Sequence, residues 1–234
     1  FENMTITRST ETFAGMAHTN STVYKNCVIN GVYFVYEKNA QFIDCTFNIT
    51  GNNYNCWLYG TSKATYTNCT FNCDGKSIYV DGNGDTGSDA EFNNCTFNDI
   101  NKVVTDKAAV ETGTTYGKRY ELVFNNAKVN GFNINPNGIV TGTTLWANKH
   151  SMPADKLKVI IDGYTWVADG VAMNAEGEYL ISKAAGLTWF SDQMNNKKNT
   201  FAGKTIKVVK VLEKNMERVK MLGLSEDQAT QNPD

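Results

Sequence analysis

From Phe1 to about Thr165, apolar and polar residues alternate in short runs, and the alternation breaks repeatedly at one kind of place. In Phe42-Ile43-Asp44-Cys45-Thr46-Phe47, Phe42 and Asp44 share one strand parity while Cys45 and Phe47 share the other. A bend at the Asp-Cys pair lets Phe42, Cys45 and Phe47 all face one core. Asn and Asp suit such a bend, because their short side chains tolerate the left-handed backbone region. The same phrase (aromatic, any, Asn or Asp, Cys, any, apolar, then usually Asn) begins at Phe1, Tyr24, Phe42, Tyr66 and Phe92. Worn copies begin at Phe124 and Ile160, so successive steps are 23, 18, 24, 26, 32 and 36 residues. Further strand candidates lie between the phrases: Val32–Tyr36, Cys56–Tyr59 and Ser77–Val80.

A bent two-strand unit cannot cover its own apolar face and must stack on its neighbours. The pattern therefore predicts an all-β fold, a right-handed parallel β-helix over residues 1–165. Equivalent residues then form ladders about 4.8 Å per rung. The expected ladders are Phe1, Tyr24, Phe42, Tyr66, Phe92, Phe124, Ile160; Asn3, Asn26, Asp44, Asn68, Asn94, Asn126, Asp162; and Met4, Cys27, Cys45, Cys69, Cys95, Ala127, Gly163. The Asn ladder is expected on the inner side of the turn, which would deny a glycan access to the Asn-x-Thr sites at Asn3, Asn68 and Asn94. An antiparallel sandwich also has regularly spaced short strands, but it gives no reason for one six-residue phrase to recur.

Near Gly170 the pattern changes. Glu178–Ile181 reads as a strand, and Ser182–Asn195 as a short amphipathic helix with Ser182 as N-cap and Leu187, Phe190 and Met194 on its apolar side. A turn and strand follow over Thr200–Val209, then a second helix over Leu212–Leu222 and a polar tail. Residues 166–234 are thus expected to form a small α+β capping region, or the start of an adjoining module, because a coil leaves its last rung as an open edge.

Composition narrows the function classes. A net charge of −2 supplies no electrostatic footprint for nucleic acid, and the chain contains no apolar run long enough for a transmembrane helix. Beginning inside a repeat, the sequence reads as part of a longer chain with neighbouring domains. Four of the six cysteines share one phase of the repeat, which predicts buried, unpaired thiols in place of disulfides or a zinc site.

The phrases Tyr24-Lys25-Asn26-Cys27 and Phe92-Asn93-Asn94-Cys95-Thr96-Phe97-Asn98, with Thr143-Thr144-Leu145-Trp146-Ala147-Asn148-Lys149, resemble the pectate-lyase-like right-handed β-helix domains in large surface proteins of gut bacteria. Tyr179–Ser182 through Phe201–Ile206 is similar to a helix-and-strand module found beside such coils. The resemblance implies an extracellular or cell-surface setting. It leaves activity open, since coils of this kind carry lyases, hydrolases, adhesins and inert spacers alike.

The candidate chemistry is sparse. Asp81, Asn83, Asp85 and Asp89 place oxygen ligands at alternate positions of a Gly-rich loop, a pattern that suits calcium, although Asp and Gly are also ordinary residues of a solvated loop with no metal, which is the default reading. Thr86 and Phe92 depart from that pattern where the EF-hand type has Gly and a closing Glu. Trp57, Tyr59, Tyr79 and Trp146 are candidates for stacking against sugar rings. A lyase needs a cation or Arg beside its base, and the chain has three Arg, Arg8, Arg119 and Arg218; a hydrolase needs two facing carboxylates, and spacing selects no pair. The two histidines, His18 and His150, read as turn or surface residues. The expectation is a non-catalytic, adhesin-like module that binds a glycan or host surface protein through loops on one face. The alternatives are a fragment of a carbohydrate-active enzyme and a spacer with no ligand.

Overall fold

The computed structural model describes residues 1–7, 21–31, 39–49, 63–76, 78–81, 89–101, 120–134 and 157–208. It also describes the short strands at 15–16, 33–35, 56–59, 103–106, 139–140, 143–144 and 146–148, these as backbone only, as are 79–81, 120 and 157. The chain divides into two compact units, Phe1–Trp166 and Val167–Asp234.

The first unit is a stack of parallel strands, consistent with a β-helix. The first half of each phrase supplies one sheet, through Val23–Lys25, Gln41–Ile43, Lys63–Thr67, Asp89–Asn93, Tyr120–Asn125 and Leu157–Ile161, each parallel to the next. The second half supplies another, through Thr5–Thr7, Val28–Asn30, Thr46–Asn48, Thr70–Asn72, Thr96–Asn98 and Lys128–Val129. The intervening segments make a third: Gly15–Met16, Tyr33–Val35, Cys56–Tyr59, Ile78–Asp81, Val103–Asp106 and Trp146–Asn148.

The register places equivalent residues over one another, as the phrase demands. Tyr24, Phe42, Tyr66, Phe92 and Phe124 stack with ring centroids 4.8, 5.0, 5.1 and 5.2 Å apart. A second aromatic column, Phe47, Phe71 and Phe97, stacks at 4.7 and 5.0 Å. The two columns meet edge to face within each rung, as in Phe92 against Phe97 at 5.2 Å. These are the arrangements that the ring quadrupole favours, and all of these rings but Tyr24 are fully buried. Cys27, Cys45, Cys69 and Cys95 fill the corner between the columns as buried free thiols.

Each corner is a two-residue bend. Asn3, Asn26, Asp44, Asn68, Asn94 and Asn126 all have φ between 50° and 57°. Backbone bonding holds the bend on both sides: Asn68 N–H donates to the Asn93 carbonyl at 2.8 Å, and Thr70 N–H to the Cys45 carbonyl at 2.9 Å. The expected inner position of the Asn ladder is wrong, because every member is exposed. The left-handed residue swings its side chain outward, while the Cys that follows turns in.

A second set of left-handed residues, Asp74, Asp99 and Asn130, with φ of 50° to 51°, closes the other end of the second sheet. The last copy of the phrase is also registered differently from expectation. Ile161, not Ile160, pairs with Phe124 and is buried. Asp162 and Gly163, with φ of 48° and 83°, then reverse the chain into Tyr164–Ala168, antiparallel to Leu157–Ile161. Gly163 therefore belongs to a hairpin turn and not to the thiol ladder. Asn130 and Gly131, at 50° and 81°, do the same for the second sheet, sending Phe132–Asn133 back along Lys128–Val129. Asn-Gly and Asp-Gly are the pairs that tolerate two successive positive φ values in a tight hairpin.

In the second unit, Val171–Met173 pairs antiparallel with Tyr179–Ile181, which pairs parallel with Ile206–Val208. Helix α1, Ala184–Asn195, packs Phe190 into a small core with Val171 and Ile181. Its N-cap position is Lys183, not Ser182, and it makes no side-chain capping bond. Met194 is 50% exposed, and the buried stripe runs through Gly186 and Phe190. Gly186 is required there: a Cβ at that position would lie 2.5 Å from the Gly170 carbonyl oxygen. The expected helix over Leu212–Leu222 and the polar tail lie outside the described residues.

Candidate functional site

The third sheet positions the aromatic candidates. Trp57 and Tyr79 occupy the same register on adjacent strands, and Tyr59 is paired with Asp81, which is itself paired with Asp106. The structure thus brings three of the four predicted ligand-binding residues onto two neighbouring strands. Trp146 falls in a different column, paired with Val103 and through it with the fully buried Ile78. The side chains of Trp57, Tyr59, Tyr79, Trp146 and Asp81 lie outside the described residues, as do Asn83 and Asp85, the His18 and His150 segments, and Cys56 beyond its backbone.

Asp89, the last of the proposed calcium ligands, starts a strand on the first sheet. Its Oδ1 accepts the Glu121 N–H at 2.9 Å, and its backbone pairs with Lys63 and Glu121. Burial raises its pKa, which that hydrogen bond partly offsets. One oxygen of the carboxylate is thereby tied to the sheet. Around it, Glu91 is paired with Lys63, and Lys158 reaches Glu121 at 3.0 Å, so this outer face is a lattice of compensating charges. Among the described residues no three His, Cys, Asp or Glu side chains converge on a metal-sized point.

The second sheet carries a feature that the sequence reading passed over. The Asn that usually follows each phrase forms its own column. Asn48 donates to Asn30 at 2.8 Å, Asn72 to Asn48 at 2.7 Å, and Asn98 to Asn72 at 2.8 Å, each from Nδ2 to Oδ1. Beside it runs a shallow groove of about 290 Å³, lined by Asn48, Ile49, Asn72, Cys73, Asp74, Asn98 and Asp99. Lys76 donates to the Asp74 carboxylate at 2.5 Å and holds its pKa below the usual range. The Cys73 thiol is pushed up to about 12, mainly by burial and secondly by the Asp99 charge, so it is protonated and unreactive at neutral pH. The recurring Asn was the available signal; its alignment into a ladder comes from the in-register parallel pairing of the second sheet.

The exposed Asn ladder at the first bend is also bonded from rung to rung. Asn26 donates to Asn3 at 2.6 Å, Asn68 to Asp44 at 3.0 Å, Asn94 to Asn68 at 3.2 Å, and Asn126 to Asn94 at 3.0 Å. Asn3, Asn68 and Asn94 are therefore exposed but have their amides engaged along the coil. Two of the stacked thiols, Cys45 and Cys69, are held protonated. The hydrogen bond with Cys69, and then burial, raise Cys45 far above the thiol range. For Cys69 the bond with Cys45 lowers the pKa, but the bond with Cys95 and burial outweigh it, leaving it up at about 12. No family model, curated protein or solved structure matches the chain.

Proposed function

We propose that residues 1–165 are a right-handed, pectate-lyase-like parallel β-helix, followed by a separate strand-and-helix region over residues 166–234. In this reading it serves as a non-catalytic, adhesin-like module at the cell surface or outside the cell. Its partner is a glycan or host surface protein, bound through the loops and aromatic residues of the third sheet. The observation that supports this reading is the register of Trp57 beside Tyr79, with Tyr59 and Asp81 two positions on. Stacked in-register strands form a rigid support, and binding residues concentrate on the loops that such a support holds in place.

The test is a glycan-array and polysaccharide-retention assay run beside assays for new reducing ends and unsaturated products. Binding without product, lost in Trp57→Ala and Tyr79→Ala, supports the reading. Product that disappears on mutation of an acidic loop residue replaces it with a lyase or hydrolase, and silence in every assay replaces it with a spacer. Calcium at Asp81, Asn83, Asp85 and Asp89 is part of the same proposal. It predicts a rise in unfolding midpoint with millimolar calcium, absent with magnesium and absent in Asp85→Asn, since a ligand stabilises the state that binds it.

A further inference from the structure

We infer that the outer face of the second sheet is a separate binding surface for an uncharged linear polysaccharide, lying along the direction in which the rungs stack. This goes beyond the loop reading and does not depend on it, because it involves a different sheet and none of the four aromatic candidates.

Three successive strands of this sheet are Thr-Phe-Asn: Thr46–Asn48, Thr70–Asn72 and Thr96–Asn98. In each, the Phe is fully buried and the flanking Thr and Asn are partly exposed, so they stand together on the outer side. Pairing in exact register, Thr46 with Thr70 with Thr96 and Asn48 with Asn72 with Asn98, turns them into one hydroxyl column and one amide column. Thr5, Thr7, Val28 and Asn30 extend the same two columns over two earlier rungs.

Spare hydrogen-bonding capacity follows from the ladder. Asn72 donates one N–H to Asn48 and accepts one from Asn98. An amide has two N–H donors and two acceptor lone pairs, so one of each is left at this rung. Each Thr adds a hydroxyl that can both donate and accept. The surface therefore offers the same mixed donor–acceptor set once per rung, about every 4.8 Å. A partner that satisfies such a set must repeat along one axis and carry groups that both donate and accept. Sugar hydroxyls on a regular polymer meet both conditions.

Charge selects the class of polymer. From Thr5 to Asn98 the outward positions of these strands carry no charged side chain, whereas the outer face of the first sheet carries Lys25, Lys63, Asp89, Glu91, Glu121 and Lys158. The groove beside the Asn column is bordered by Asp74 and Asp99, with only Lys76 opposing them. An acidic polysaccharide or a nucleic acid would meet these carboxylates beside only two cations, Lys76 in the groove and Lys128 in register with Thr96 on the next strand. A neutral glucan, mannan or xylan would meet amides, hydroxyls and carboxylate acceptors.

The experiment is affinity gel electrophoresis of the full chain in gels containing hydroxyethylcellulose, galactomannan, xylan or polygalacturonate. The variants are Thr70→Arg and Thr96→Arg, with Thr65→Arg on the outer side of the first sheet as control. Retardation by at least one neutral polymer is expected, weakened at least tenfold by Thr70→Arg and by Thr96→Arg and unchanged by Thr65→Arg. Circular dichroism confirms that each variant keeps its fold. Loss of retardation in Trp57→Ala with no effect of Thr70→Arg or Thr96→Arg assigns all binding to the third sheet and overturns the inference. Retardation by polygalacturonate alone, or by no polymer, overturns it too. So does light scattering that shows a dimer which Thr70→Arg dissociates, since the face would then be covered by a second copy of the chain.

Discussion

Asn94 offers the sharpest test of how the bend is built. It holds φ at 53°, donates to Asn68 at 3.2 Å and accepts from Asn126 at 3.0 Å. Replacing it with Ala removes both bonds, which on an exposed edge are worth about 0.5 kcal/mol each. Ala must also occupy the left-handed region, at about 1–2 kcal/mol. The sum for Asn94→Ala is about 2–3 kcal/mol. Gly loses the same two bonds but sits in that region freely, with about 0.4–1 kcal/mol of extra unfolded-chain entropy. Asn94→Gly should therefore cost about 0.5–1 kcal/mol less than Ala. A β-branched residue is a stronger misfit, and Asn94→Val should cost more than either. Equilibrium unfolding in guanidinium, with equal slopes for all three variants, reads these differences directly. The order Gly, Ala, Val is the content of the prediction. If Gly destabilises as much as Ala or more, backbone strain is not what Asn relieves at the bend, and the ladder bonds must carry the preference.

Other expectations follow from the same coordinates. Phe92 is fully buried between Tyr66 and Phe124, so Phe92→Ala should cost about 3–5 kcal/mol, whereas Phe1→Ala, at a ring 62% exposed, should cost well under half of that in the same unfolding assay. Gly186→Ala should destabilise the second unit despite the better helix propensity of Ala, because the new methyl meets the Gly170 oxygen and Ile181; helix loss by hydrogen exchange over Ala184–Asn195 is the readout. Cys45, Cys69 and Cys73 should resist a thiol reagent at pH 8 until the chain is unfolded. Their raised pKa values also fix the sign of an alkaline effect: the native state keeps protons that the unfolded state releases above about pH 8.5, so stability should fall as pH rises from there toward 12, the value at Cys69 and Cys73.

Much of the stack was legible because one physical rule generated it. Parity broken at a residue that tolerates positive φ forces a corner, and a corner repeated in phase forces a ladder. That rule located Phe42, Cys45 and Phe47 in the core, while apolar runs outside the phrase marked the strand Cys56–Tyr59 and, one residue too long at Glu178, the strand Tyr179–Ile181. It did not say which way the side chain at the corner points, and Asn68 was assigned inward when its φ of 55° turns it out. The termination of the stack was missed for a related reason. Asp162 fills the Asn-or-Asp position of a worn copy of the phrase, yet a Gly with φ of 83° after it turns a bend between sheets into a hairpin within one. In α1, Ser182 looked like the cap because propensity favours it, while burial of Gly186 against Gly170 sets where the helix sits. The Thr and Asn columns were hidden because period two marks a position as outward but cannot show that three outward positions share a row.

The uneven steps between phrases have a consequence for how such a chain changes length over generations. Rungs separated by 18, 24, 26 or 32 residues deliver their Asn side chains to the same ladders, at bond lengths that do not depend on the step. All variation is discharged into the connecting segments, and none reaches the shared axis. Duplicating or deleting one phrase would therefore move everything beyond it by a single increment of about 4.8 Å and leave every surviving contact with its counterpart. The length of the first unit is adjustable in whole steps, while each connector is free to acquire a different surface.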